Sequence, residues 1–164
     1  MKAPILIIQD QLRNGGTERQ SLLLATSLRA RGEDVQLLLF SPGGRLAGEP
    51  ERLGLPCRTL QKRDMRLPLW APGLLRTVRL IAPAVIVCMG RTANCYAGWL
   101  QDHFPQVPVI GSLRTGKSIL PLQQASWRKV SALFVNCHWW KRELIRRGLE
   151  PERIHVHHNP LSRM

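Results

Sequence analysis

Acidic side chains are scarce in this chain: 11 Asp and Glu stand against 24 Lys and Arg, so 164 residues carry a formal charge of +13. Such an excess serves a solvated basic face, a nucleic acid, an anionic membrane surface or a phosphorylated substrate. Arginine supplies most of it, and its planar fork suits phosphate and carboxylate partners. Long apolar runs are missing too. None could span a bilayer, and the apolar start, residues 4–8, is too short for a secretory signal and leads into an amphipathic helix. The expectation is a cytoplasmic chain, soluble or peripheral on the inner face of the membrane. The four cysteines, Cys57, Cys88, Cys95 and Cys137, include no C-x-x-C pair, and two lie in apolar strand-like runs, which predicts buried, reduced thiols. His155, His157 and His158 crowd together, with the first two on one face of a strand, but that cluster alone does not make a metal site, and none is assigned. Internal repeats, low-complexity segments, aromatic-glycine RNA-binding runs and a helix-turn-helix pattern are all absent. A nucleic-acid-binding module therefore rests on charge alone, and nucleic acid is not expected as a partner.

What is present is a regular alternation of strand-like and helix-like stretches within one domain of ordinary size. Strands are predicted at 5–8, 35–40, 57–60, 84–89, 107–113, 132–136 and 154–157. Helices are predicted from Thr17 to a stop at Gly32, briefly before Gly54, and at 73–80, 93–103, 122–129 and 139–147. This is the pattern of an α/β fold, a Rossmann-like parallel sheet with helices on both faces. The run 35–40 is apolar almost throughout, as a strand covered on both sides must be. Trp140 and Leu144 share a helical face beside Ile145, which makes Trp140 a core residue.

Ligands of open parallel sheets bind outside the carboxyl ends of the strands. Three turns qualify: 14–17, 90–92 and 114–118. In the first, Gly15 and Gly16 allow close backbone approach to an anionic group, and Thr17 with Gln20 reads as a capping box that starts the helix at Thr17. The N–H groups of that first turn then point where a phosphate would sit. The second offers Arg91 and Thr92, the third Arg114 and Thr115. The stretch 62–70 mixes Lys62, Arg63 and Arg66 with Met65, Leu67, Leu69 and Trp70, and Pro68 and Pro72 keep it from being a regular element. Charge and apolar side chains in one loop suit an anionic membrane or a phosphorylated lipid acceptor.

Residues 111–118, Gly-Ser-Leu-Arg-Thr-Gly-Lys-Ser, satisfy the phosphate-loop pattern G-x-x-x-x-G-K-[ST] in full. This supports an alternative, a nucleoside-triphosphate-binding protein in which Lys117 holds phosphates and Ser118 holds magnesium. Against it, Pro121 falls in the first two turns of the required helix, and the next strand ends in Asn136 and Cys137 with no aspartate for the metal.

Asn14-Gly15-Gly16-Thr17-Glu18-Arg19 resembles the Gly-Gly-x-Glu-Arg turn of the large retaining "group 1" glycosyltransferases of GT-B fold. The Ala-Arg-Gly-x-x-Val run at 30–35 is similar to theirs. Val135-Asn136-Cys137 looks like their strand end with cysteine in place of serine, and Glu143, Leu144, Gly148, the run 151–156 and Asn159 resemble the stretch leading to their interdomain linker. The resemblance covers nearly the whole chain and implies two Rossmann-like domains flanking a cleft, the first binding acceptor and the second binding a nucleotide-sugar donor. Residues 1–160 would be the first domain and 161–164 the start of the linker. The donor-binding domain is absent, so the chain reads as a truncated piece or as a natural half paired with a separate donor-binding chain. No cofactor is expected in this domain. The implied activity is sugar transfer from a nucleotide sugar to a glycan or lipid-linked acceptor in bacterial envelope polysaccharide synthesis. Within it, Arg114 is the catalytic candidate, steadying the leaving diphosphate, where the family often has histidine. Gly15, Gly16 and Thr17 face the donor phosphates, and Arg91, Thr92 and Thr115 line the acceptor side. Asn159-Pro160 replaces the usual Asn-Gly of the linker.

Overall fold

A computed structural model describes residues 2–65, 69–114, 116 and 118–158. Seven strands, β1 (Ile5–Gln9), β2 (Val35–Leu39), β3 (Cys57–Thr59), β4 (Val85–Cys88), β5 (Val109–Leu113), β6 (Ala132–Val135) and β7 (Ile154–Val156), alternate with six helices. These are α1 (Gly16–Ala30), α2 (Glu49–Arg52), α3 (Leu74–Ile81), α4 (Arg91–His103), α5 (Pro121–Trp127) and α6 (His138–Arg146). The strands form one sheet in the order β3-β2-β1-β4-β5-β6-β7, and every adjacent pair is parallel.

Alternation of side chains along the strands sorts the core into layers. Ile7, Leu37, Leu39 and Val87 meet Leu22 and Ala25 of α1 on one face. Leu6, Ile8, Ile86 and Cys88 meet Val78 of α3 and Ala97 and Leu100 of α4 on the other. Farther along the sheet, Leu133, Val135 and Ile154 pack with Trp127 and Leu144. The helices thus lie on both faces. Trp140 packs half-buried against this last cluster, as its helical spacing predicts. Two glycines make the packing between α4, α5 and β5 possible. A Cβ at Gly98 would stand 2.5 Å from the Ser126 carbonyl oxygen, and one at Gly111 2.8 Å from the Trp127 ring.

Several sequence expectations change in detail. Helix α1 starts at Gly16 with Gly15 as its N-cap, and no side chain caps it, so the Thr17–Gln20 capping box does not form. Thr17 already lies inside the helix, where its carbonyl accepts the Ser21 hydroxyl at 2.9 Å. Arg91 and Thr92 are the first turn of α4 rather than a loop. Pro121 opens α5, a position where its missing N–H is harmless. Cys88 and Cys95 are buried, and desolvation pushes both thiols up, Cys95 to about 11. Cys57 is exposed, because β3 is an edge strand with all three residues at the surface. Asn159, Pro160 and the linker residues beyond lie outside the described residues.

Candidate functional site

After β3 the chain crosses back to lay β4 against the free side of β1. The loops leaving β1 and β4 therefore diverge to opposite faces, which opens a crevice at the carboxyl edge of the sheet. It holds a cleft of about 980 Å³. The β1–α1 segment contributes Asp10, Arg13, Thr17 and Glu18, the end of β2 Phe40, Ser41 and Gly44, the β3–α3 loop Gln61, Asp64, Leu69 and Trp70, and α4 Arg91 and Thr92.

Three glutamines fix the cleft walls. Gln9 donates to the Ser21 hydroxyl at 3.2 Å and accepts the Asp10 N–H at 2.9 Å. Gln11 donates to the Pro42 carbonyl at 2.5 Å and to Asp64 at 3.3 Å, and accepts Arg13 Nε–H at 2.7 Å. Gln61 donates to the Trp70 carbonyl at 2.9 Å and accepts the Met65 N–H at 3.3 Å, closing the loop between them. All three line the cleft and are buried, at 2, 8 and 5 % exposure, with their amide groups bonded to the protein.

Asp10 follows the same logic. Its two carboxylate oxygens accept the N–H groups of Thr92 and Ala93, each at 2.9 Å, and so cap α4. Burial raises its pKa, and the backbone hydrogen bonds oppose that shift. Gly90 is required beside it, since a Cβ there would lie 2.1 Å from Asp10 Oδ1. With the first turn of α4 already holding a carboxylate, its N–H groups are engaged, and the Thr92 side chain is hydrogen-bonded to Asp10 as well. At α1 the N-cap is Gly15, which has no side chain to cap the helix as Asp10 caps α4. Glu18 folds back over this turn, and a Cβ on Gly15 would meet its carboxylate at 2.4 Å.

Of the residues singled out by sequence, Thr17, Arg91, Thr92 and Trp70 line one cleft, and Gly15 and Gly16 form the turn leading to Thr17. Arg91 donates from Nη2 to the Ser118 carbonyl at 2.8 Å, while its Nε is buried without a hydrogen bond. Arg114 lies off the cleft lining, half-buried just past β5, where desolvation lowers the guanidinium's pKa. Lys62 and Arg63 are exposed on the β3–α3 loop. Thr115, Lys117, Arg66 and Leu67 lie outside the described residues. The phosphate-loop reading fails on local geometry. Gly111, Ser112 and Leu113 are strand residues, and the next helix begins only at Pro121, so no helix N-terminus stands at Ser118 to receive phosphates.

Asn94 went unnoticed in the sequence. It is 1 % exposed and its amide has four partners: Nδ2 donates to the carbonyls of Cys88 at 3.0 Å and Gly90 at 2.7 Å. Its Oδ1 accepts the Ser112 N–H and Trp127 Nε1–H, both at 2.8 Å. One side chain thereby joins α4, α5 and the ends of β4 and β5 behind the cleft. The only sequence signal for Asp10 was its place directly after an apolar strand.

Many solved structures share this architecture, among them three of which the chain spans under half. Anabaena HepE in complex with UDP superposes with a TM-score of 0.74 at 19% identity, covering 97% of this chain and 44% of that one. The lipopolysaccharide outer core galactosyltransferase WaaB gives 0.69 at 13% identity, covering 99% of this chain and 46% of that one. A protein described as a putative UDP-N-acetylglucosamine 2-epimerase from Listeria monocytogenes gives 0.70 at 16%, covering 95% and 45%. Identities this low establish the fold and leave the chemistry open. No curated protein matches the chain. The family model for Glycosyltransferase Family 4 does match, over residues 14–162, from the turn that enters α1 to the far end of the sheet. The chain belongs to Glycosyltransferase Family 4.

Proposed function

We propose that this domain is the acceptor-side half of a retaining glycosyltransferase that moves a sugar from a nucleotide-sugar donor to a glycan or lipid-linked acceptor in bacterial envelope polysaccharide synthesis. The observation that carries the reading is the family match across 14–162, which ends on a domain whose cleft opens at the switch point of the sheet. The donor belongs to a second domain, or to a separate donor-binding chain, closing over that edge. In this arrangement the acceptor lies in the cleft, beside Arg91 and Thr92. The uncapped turn of α1, Gly15 to Thr17, and Arg114 face the donor's phosphates from across the interdomain gap. In a retaining transfer without a protein nucleophile, the chief task is to stabilise charge developing on the leaving diphosphate, and helix N–H groups and a guanidinium supply that. Exposed Lys62 and Arg63, with Trp70 42 % exposed beside them, suit contact with an anionic membrane on its inner face.

The test is a pair of variants in the complete two-domain protein. Arg114→Ala lowers kcat by about 100-fold, the scale of losing one charge-stabilising donor. Lys117→Ala costs far less. Loss of activity in Lys117→Ala with Arg114→Ala unaffected overturns the assignment.

A further inference from the structure

Leu69 is one of two non-glycine residues, among those described, whose φ is positive, at +59°. A Cβ makes that region costly, and a bulky side chain stays there only where its surroundings hold it. Two side chains do so here. The Tyr96 hydroxyl of α4 donates to the Leu69 carbonyl, and one residue on, the Trp70 carbonyl accepts from buried Gln61 at 2.9 Å. Tyr96 is fixed in turn. Its ring stands 5.5 Å from that of Phe40 and 5.7 Å from that of Trp99, which is 39 % exposed on α4. Leu69, Trp70 and Phe40 line the cleft, and Tyr96 does not. A side chain outside the cleft thus sets the backbone of a residue inside it.

The wall so made is the apolar part of a lining that is otherwise polar. Leu69 and Trp70, at 39 and 42 % exposure, keep surface for a ligand, whereas Phe40 and Met89, at 4 %, are covered. Arg13, Thr17, Glu18, Ser41, Asp64 and Arg91 supply charged and hydroxyl groups to the same cleft. A pyranose ring has that division too, with C–H groups on its faces and hydroxyls at its edge, so an indole face with polar groups around it suits such a ring. We propose that Tyr96 is a positioning residue, which holds Leu69 and Trp70 as a platform for the apolar face of a sugar ring in the acceptor. The proposal rests on the glycosyltransferase reading and narrows it to an acceptor whose sugar enters the cleft. Were the Tyr96 bond only a staple for the β3–α3 loop, its loss would leave the response to a sugar unchanged.

Fluorine NMR of the 164-residue chain carrying fluorotryptophan reads its five tryptophans separately. No donor is present, so failure here is separate from failure of sugar transfer. The probes are the methyl α-pyranosides of glucose, galactose and mannose, with sorbitol, a polyol that has no ring face, as the control. At least one pyranoside shifts the Trp70 resonance, sorbitol does not, and Trp139, 56 % exposed on α6, responds to neither. Tyr96→Phe keeps the ring contacts and removes the hydroxyl. It lowers the pyranoside-induced shift about fivefold, the scale of one hydrogen bond, while the resonance of buried Trp127 verifies the fold. In a Leu69→Asn background, where asparagine tolerates positive φ, the same loss of hydroxyl costs about twofold or less. No response of Trp70 to any pyranoside, an equal response to sorbitol or at Trp139, an undiminished shift in Tyr96→Phe, or an equal loss in the Leu69→Asn background overturns the inference.

Discussion

Replacing Asn94 by alanine isolates what holds the back of the cleft together. Four hydrogen bonds of 2.7 to 3.0 Å disappear, but their losses are unequal. The Cys88 carbonyl keeps the Ser112 hydroxyl at 2.9 Å, and the Gly90 carbonyl keeps the backbone N–H of residue 94 at 3.0 Å. The Ser112 N–H and Trp127 Nε1–H keep nothing among the described bonds. Each buried donor left without a partner costs about 1–3 kcal/mol, so the variant loses roughly 2–6 kcal/mol of unfolding free energy. In a domain of this size that lowers Tm by roughly 5–15 °C. Chemical denaturation followed by circular dichroism measures it. A double-mutant cycle with Trp127→Phe, which removes one of the orphaned donors, should recover about 1 kcal/mol as coupling. A loss below about 1 kcal/mol, or no coupling, would refute the accounting.

Other consequences follow from single contacts. Gly98→Ala drives a methyl into the Ser126 backbone at 2.5 Å and should destabilise by about 1–3 kcal/mol in the same denaturation assay; an unchanged midpoint counts against the close packing of α4 on α5. On α6, the Arg146 and Arg147 hydrogen bonds hold the Glu143 carboxyl down at about 2. A depressed carboxyl contributes its stability above the unfolded value and loses it as pH falls through the folded one, so this clamp opens between about 4.5 and 2. Carbon-detected NMR titration of Glu143 reads it directly, and a midpoint near 4.5 removes the clamp.

Most of the framework was legible because its signals are local. Runs such as 35–40 and 84–89 announced buried parallel strands, and Gly32 and Gly148, at φ of +82° and +84°, ended helices as glycine in the left-handed region does. The cleft was legible only by position. Gln11 reaches Pro42 and Asp64, 31 and 53 residues away, and Asp10 caps a helix 82 residues on. Those partners meet only once β2 and β4 are placed on the two sides of β1, and local pattern carries no information about those neighbours. The same limit explains the phosphate-loop match. Its glycine reads as a turn residue, yet Gly111 is small because Trp127 packs across β5. It also explains Trp99, which in sequence is one more apolar residue of a helix and in the fold lies on its outer face.

Assaying the 164-residue chain for transfer from nucleotide sugars, alone and then joined to a donor-binding domain of its family, tests the central claim most directly. On the proposed reading the cleft supplies acceptor contacts and one side of the charge stabilisation, while a second domain holds the donor. The account predicts no turnover and at most weak nucleotide binding by the chain alone, with transfer appearing once the second domain is present. Turnover of any nucleotide sugar by the isolated chain contradicts it.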